Sequence, residues 1–152
     1  MRFIIFLIST FISLPAFADD DPVHLITDQL TKDECGACHF AYPPSMLPEA
    51  SWRKIMGNLE NHFGEDASLD IEATQDITEY LAAQAADTRP RLSEFTRGID
   101  AQSPPVRITE TEYWTGKHFA ISKEYLSSGL AGLKAHCPVC HLRAEDGKYE
   151  KR

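Results

Sequence analysis

The chain has 152 residues, a formal net charge of −8 at pH 7 and 43% hydrophobic residues. This length predicts one small domain. The acidic balance argues against nucleic-acid binding, which needs a basic face, but it favours electrostatic attraction of a basic protein partner.

The N-terminus has the features of a secretory signal peptide. Arg2 gives a short positive region, residues 3–14 are a twelve-residue, largely apolar run, and Ala16–Ala18 forms a small-residue cleavage signal. The run is too short to be a membrane anchor, since a span needs about 20 apolar residues. We therefore expect cleavage after Ala18 and export to the periplasm. Residues 1–18 are then the signal peptide and residues 19–152 one mature domain without a membrane span.

Helical periodicity appears in the first half of the mature chain, after a polar arm that leads into a pair of cysteines. From Glu49, one stripe of residues at helical spacing predicts a helix that ends at Gly64, a likely C′ residue. Asp70 is expected to cap a second helix that runs to about Asp87. The stripe of the first helix consists of Trp52, Ile55, Met56, Leu59, His62 and Phe63.

Residues 88–107 are rich in proline and arginine and predict an internal connecting segment. A third helix is expected to start at Thr109, where Thr109 and Glu112 match a capping box. A short helix over residues 124–133 leads to the second cysteine pair, and the charged tail after Gly147 is expected to fray. Strand signals are nearly absent, so the predicted fold class is mostly α.

Two copies of the pattern C-x-x-C-H stand in the chain, at residues 35–39 and 137–141. This is the attachment pattern of c-type haem, in which two thiols form thioether bonds to the porphyrin and the histidine binds the iron from one side. The prediction is therefore two covalently attached haems c. Their attachment residues are Cys35, Cys38, Cys137 and Cys140, and the proximal iron ligands are His39 and His141.

Other uses of four cysteines explain the pattern less well. Two disulfides are the ordinary expectation for an exported protein. A four-cysteine zinc site has an internal gap of roughly 15–20 residues, whereas 98 residues separate Cys38 from Cys137. Zinc also leaves the two following histidines unexplained, and a thioredoxin-like pair lacks its βαβ context.

The second axial ligand decides between an electron carrier and a catalyst. His62 is the first candidate, because an imidazole on the apolar stripe needs a polar partner; a histidine bonded to backbone in the core is the alternative. Met56 shares the stripe but is more often core filler, and Met46 ranks below both. His118, which shares a face with Trp114, is the candidate for the other haem, unless it is an exposed helix residue.

Two further histidines carry weaker predictions: His24 is expected in a surface arm, and His136 near a haem or on the surface. Arginines of the connecting segment are candidates for pairing with haem propionates, with surface solvation as the alternative. These arginines are Arg89, Arg91, Arg97 and Arg107. Because His62 follows its motif whereas His118 precedes its own, we expect one fold around two haems rather than two tandem modules.

The segments that contain the two C-x-x-C-H motifs and the candidate histidines resemble the dihaem cytochromes c of bacterial periplasms. The resemblance covers nearly all of the mature chain and is most specific in its first half. It is carried by Glu34–Pro44, Leu47–Pro48, Trp52, His62–Glu65, Ala67–Asp70, Tyr80–Leu81, Arg107–Thr111, Trp114, His118 and Cys137–His141.

The resemblance implies a mostly helical fold with two low-spin haems, the first held by His39 and His62 and the second by His141 and His118. It also implies an electron shuttle, with a membrane b-type cytochrome as donor and a small oxygen-binding cytochrome c as acceptor. A haem enzyme or gas sensor of peroxidase-like type, with one open distal position, is the alternative function.

Overall fold

The computed structural model describes residues 23–88, 94–127 and 135–150. Outside these ranges lie the predicted signal peptide, Arg89, Arg91 and residues 128–133 of the predicted helix over residues 124–133. Within them the fold is helical, and only two isolated β-bridges occur, so the predicted fold class is confirmed. The α-helices of the described residues are α1 (Gln29–Gly36), α2 (Glu49–Met56), α3 (Ile71–Ala83), α4 (Glu112–Lys117) and α5 (Lys123–Ser127).

Helix α1 follows the polar arm and has no equivalent in the sequence analysis. Asp28 caps it, because its carboxylate accepts the Thr31 N–H at 2.7 Å and satisfies one of the unpaired donors of the first turn. The Thr31 side chain faces the interior and is fully buried. Helix α1 carries the first cysteine of the first motif in its last turn.

The prediction of one long helix from Glu49 to Gly64 is wrong. Helix α2 ends at Met56 with Gly57 as its C-cap, and Leu59–Asn61 forms a separate 3-10 turn. The chain then reverses in a tight turn in which Phe63 and Gly64 both have positive φ, 58° and 106°.

Helix α3 confirms Asp70 as an N-cap, since its carboxylate accepts the Ala73 N–H at 2.8 Å. The helix ends at Ala83 rather than near Asp87, and a 3-10 turn over Ala86–Thr88 follows. Helices α2 and α3 pack on each other through the first hydrophobic cluster, which consists of Leu47, Trp52, Met56, Ile77, Leu81 and Ala85. Met56 is therefore a core residue.

A second, smaller cluster contains Met46, Ala86 and Phe95. The side chain of Ile108 packs against both clusters, so the end of the connecting segment is anchored on the core. Met46 is buried here, so packing in the core accounts for it without a ligand role. No helix among the described residues is long and apolar enough to cross a membrane.

Two predictions for the second half are wrong. The N-cap of α4 is Thr111, whose hydroxyl accepts the Trp114 N–H at 3.1 Å, and the predicted capping residue Thr109 lies in a preceding 3-10 turn. The tail does not fray at Gly147. That glycine has φ 73° and turns the chain so that Tyr149 packs against the second cluster.

Candidate functional site

The first motif lies at the end of α1. Cys35 is half-buried and Cys38 exposed, and neither forms a disulfide. Burial raises the pKa of the Cys35 thiol to about 11, and the Glu34 carboxylate adds to the effect. The His39 ring is oriented by its Nδ1, which donates to the Phe40 carbonyl at 2.8 Å. This bond leaves Nε2 as the nitrogen available to a metal.

The tight turn after α2 brings His62 to the first motif. The His62 N–H donates to the Glu65 carbonyl at 2.8 Å, and the Glu65 N–H donates back at 3.2 Å. The His39 and His62 rings lie nearly parallel, with an interplanar angle of 17° and 6.0 Å between their centroids. Burial lowers the pKa of His62, and His39 and Arg107 lower it further, so the neutral imidazole that binds metals is favoured.

The second motif lies in a 3-10 turn over Cys137–Val139 that Cys140 caps. Both thiols are half-buried and form no disulfide. The pKa of the Cys137 thiol is raised to about 11, mainly by burial. The His141 N–H donates to the Cys137 carbonyl at 2.9 Å, which continues the turn to the histidine. The motif therefore presents its two sulfur atoms and its imidazole from one compact turn.

His118 caps the C-terminus of α4 and faces this second motif. Its Nδ1 donates to the Trp114 carbonyl at 2.7 Å, and its ring stacks on the Trp114 indole at 4.2 Å. The His118 and His141 centroids are 6.0 Å apart, with an interplanar angle of 89°. Burial lowers the pKa of His118; the bond to Trp114 opposes this shift and His141 adds to it.

The spacing of the two pairs fits one metal ion between the rings of each. A metal–imidazole bond of about 2 Å, plus roughly 1 Å from the nitrogen to the ring centre, puts two opposed ring centroids about 6 Å apart. Both pairs have this spacing. No cluster of three or more histidine, cysteine or acidic residues occurs in the described ranges. Each pair thus offers axial ligands only, as suits an iron whose equatorial ligands come from a porphyrin.

The remaining predicted residues lie away from the two pairs or have partners in the chain. His24 is exposed in the N-terminal arm, as expected, and His136 precedes the second motif as the N-cap of its 3-10 turn. Arg97 pairs with Glu94 at 3.0 Å. Pairing of the arginines with haem propionates stays a prediction.

Two tyrosines lie beside the predicted proximal histidines: Tyr42 is expected from the sequence as a core or haem-packing residue, whereas Tyr149 is not singled out there. The Tyr42 ring is 5.2 Å from the His39 ring, and its hydroxyl donates to the Ala135 carbonyl at 2.6 Å, two residues before Cys137. The Tyr149 ring is 5.5 Å from the His141 ring, and its buried hydroxyl has no hydrogen-bond partner among the residues that the structure describes. Tyr42 therefore joins the first motif to the second across 93 residues of sequence.

Comparison with known proteins gives one consistent result. A family model described as dihaem cytochrome c matches residues 31–149. A solved structure of the dihaem cytochrome c from Rhodobacter sphaeroides is 42% identical, covers 81% of this chain and 97% of its own, and superposes with a TM-score of 0.74. A dihaem cytochrome c from Shewanella baltica OS155 is 36% identical, covers 80% and 86%, and gives a TM-score of 0.65. No curated protein sequence matches the chain.

The family match spans both C-x-x-C-H motifs and both histidine pairs, and it confirms the resemblance inferred from the sequence. It also confirms the predicted cofactor, since the family has two covalently bound haems c and transfers electrons through them. The chain belongs to the dihaem cytochrome c family.

Proposed function

We propose that this protein is a periplasmic electron carrier in which His39 and His62 ligate the iron of one haem, and His141 and His118 that of the other. The observation that carries this proposal is the equal 6.0 Å centroid spacing of the two pairs. Each pair combines the histidine of one C-x-x-C-H motif with a histidine from a distant part of the chain. Cys35 and Cys38 attach the first haem, and the two cysteines of the second motif attach the second.

The ligand arrangement favours electron transfer over catalysis. When bound, each haem supplies an iron that gains and loses one electron. The two histidines of each pair would hold the iron from both sides, which would leave no position for oxygen, peroxide or nitric oxide. Two histidines also give a lower reduction potential than a methionine–histidine pair. Met56 and Met46, the two methionines considered as ligands, are buried in the hydrophobic clusters.

Export and redox partners are the finer part of the proposal. The N-terminal pattern up to Ala18 supports delivery to the periplasm. The family resemblance supports a membrane b-type cytochrome as donor and a small oxygen-binding cytochrome c as acceptor. Exposed carboxylates concentrated over residues 60–79 suit electrostatic steering of a basic partner into a small, transient interface.

Spectroscopy of the protein made with a cytochrome c maturation system tests the ligand assignment. The intact mass gives the number of haems per chain, and the optical spectrum gives the spin state of each iron. Carbon monoxide added to the reduced protein should leave the spectrum unchanged. Rapid binding at one haem would instead support the enzyme or gas-sensor alternative.

Single replacements test the two distal positions. His62→Ala and His118→Ala should each convert one haem to high spin and open it to carbon monoxide. His24→Ala is the matched control, because His24 is an exposed histidine outside both pairs, and it should retain two low-spin haems. A wild-type optical spectrum in either distal variant would overturn the corresponding assignment.

A further inference from the structure

We propose that the chain makes its two haems electronically unequal by holding the paired imidazole planes nearly parallel at the first site and nearly perpendicular at the second, so that the second haem accepts an electron first. This inference rests on the proposed ligand assignment and adds an order of reduction to it.

The two ligand pairs have the same composition and spacing but differ in orientation. Both pairs consist of two histidines, and both have ring centroids 6.0 Å apart. The interplanar angle is 17° for His39 and His62 but 89° for His118 and His141. The interplanar angle is therefore the large geometric difference between the two ligand pairs.

Contacts with the protein fix the ring orientations at the second site. The Trp114 indole stacks on the His118 ring at an angle of 12°, and the Trp114 carbonyl accepts from its Nδ1. His141 Nδ1 lies 3.4 Å from the Glu150 carbonyl, and Tyr149 contacts the ring at 60°. Hydrogen bonds from the non-ligating nitrogen hold such rings in one orientation, so the perpendicular arrangement is built into the fold.

Different contacts fix the rings at the first site. The Phe40 carbonyl orients His39 through Nδ1. The Phe63 ring meets the His62 ring edge to face at 4.8 Å. The Arg107 guanidinium lies over the Phe63 ring, 4.1 Å from its centroid. Phe63 has φ 58°, a backbone conformation that bulky residues rarely adopt. The cation–π contact helps to hold it and the His62 ring beside it.

The ligand angle acts on the iron through its π orbitals. Each imidazole raises the energy of the iron d orbital that overlaps its π system. Parallel planes raise the same orbital twice and split the pair, whereas perpendicular planes raise one orbital each and leave the pair nearly equal. Low-spin Fe(III) has three electrons in these two orbitals and is stabilised by the splitting; low-spin Fe(II) fills both and gains nothing. The parallel site therefore favours Fe(III) and has the lower potential.

Charged groups of both signs lie near the two sites. Arg107 beside the first site favours its reduced state, while the exposed carboxylates of Glu65 and Asp66, which follow His62 in the chain, favour the oxidised state. Near the second motif, Arg143 pairs with Asp146 at 3.4 Å. The difference in ligand angle is the feature that we propose to set the order of reduction.

Electron paramagnetic resonance (EPR) of the fully oxidised holoprotein tests the proposal. We expect two low-spin Fe(III) signals of different type. One is rhombic with three resolved g values, from the parallel pair; the other has a single, much larger g value, from the nearly degenerate orbitals of the perpendicular pair. During a reductive titration followed by EPR, the large-g signal should disappear at the higher potential.

Single variants assign the signals. His62→Ala should replace the rhombic signal alone by a high-spin signal, and His118→Ala should do the same to the large-g signal alone. If either variant fails to mature, the wild-type spectrum and titration still decide the question. Two rhombic signals, or earlier loss of the rhombic signal, would overturn the inference. The optical spectrum separates this failure from failure of the ligand assignment, because two low-spin haems leave the assignment standing and a high-spin haem does not.

Discussion

Removal of the hydroxyl group should destabilise the protein at Tyr42 but not at Tyr149. The Tyr42 hydroxyl donates to the Ala135 carbonyl at 2.6 Å and joins the two halves of the chain. The Tyr149 hydroxyl is buried and has no hydrogen-bond partner within residues 23–88, 94–127 and 135–150. Phenylalanine retains each ring and its contact with the neighbouring proximal histidine, so Tyr42→Phe and Tyr149→Phe are a matched pair.

The magnitudes follow from the surroundings of each oxygen. A hydrogen bond contributes about 0.5–1.5 kcal/mol net. Ala135 is exposed, so water can replace the lost donor, and we expect Tyr42→Phe to lower the free energy of unfolding by about 1 kcal/mol. A buried hydroxyl without a hydrogen-bond partner costs free energy, and the described part of the chain offers the Tyr149 hydroxyl none. Tyr149→Phe should therefore be neutral or raise the free energy of unfolding by up to about 1 kcal/mol.

Urea unfolding of the oxidised holoproteins, followed by far-UV circular dichroism, measures both effects. A change of about 1 kcal/mol moves the midpoint by roughly 0.5 M. The comparison requires equal haem content in all three proteins, which the intact mass establishes. A Tyr42→Phe protein as stable as the wild type would refute the bridging role. A destabilised Tyr149→Phe protein would mean that the hydroxyl has a partner in the holoprotein, such as a haem propionate.

Three further predictions concern the scaffold that positions the sites. Trp52→Phe removes the buried 2.7 Å bond from Nε1 to the Pro44 carbonyl and should destabilise by about 2–3 kcal/mol in the same urea assay. Hydrogen bonds from Thr31 lower the pKa of Asp28 below its ordinary value of 3.8, so its contribution is present above that pH and is lost as the pH falls through the lowered pKa. Asn caps without titrating, and the stability of Asp28→Asn relative to the wild type should rise below about pH 4. Gly147→Ala places a side chain on a residue with φ 73°. It should lower the free energy of unfolding by about 1 kcal/mol and the thermal midpoint by several degrees.

Helix α2 shows that a helical spacing of residues can continue in the sequence after the helix itself has ended. Trp52 and Met56 do lie on the buried face of α2. His62 continues their spacing but lies after a 3-10 turn, because Gly57 ends the helix. Gly57 followed by Asn58 is an available stop signal. The structure still brings His62 beside His39, through the tight turn rather than through a helix face.

Local capping chemistry was predicted correctly before α3 but not before α4. Asp70 caps α3 as predicted, although Ser68 stands two residues earlier in the sequence. Before α4, Thr109 and Thr111 are both suitable acceptors. Packing of Ile108 against both hydrophobic clusters holds the 3-10 turn that contains Thr109, so the helix begins after Thr111. That choice depends on tertiary packing and is absent from the local sequence.

Contacts between distant segments were beyond prediction for a similar reason. The sequence Tyr42-Pro43-Pro44 indicates a turn, yet the partner of the Tyr42 hydroxyl lies 93 residues away. The tail after Gly147 has the charge pattern of a frayed end, and only the folded structure shows Tyr149 packed beside His141. The C-x-x-C-H motifs were predictable because their chemistry is contained in five consecutive residues.

The placement of the two distal histidines explains how one small fold can hold its ligand planes at different angles. Inside a helix, the backbone restricts each side chain to the same few rotamers, and two distal ligands would tend to present similar ring directions. His62 lies in a tight turn, and His118 lies at the C-cap of α4. Each ring is therefore oriented by its own neighbours, Phe63 in one case and Trp114 in the other. If the order of reduction matters for the direction of electron flow, these two aromatic residues are where the sequence encodes it.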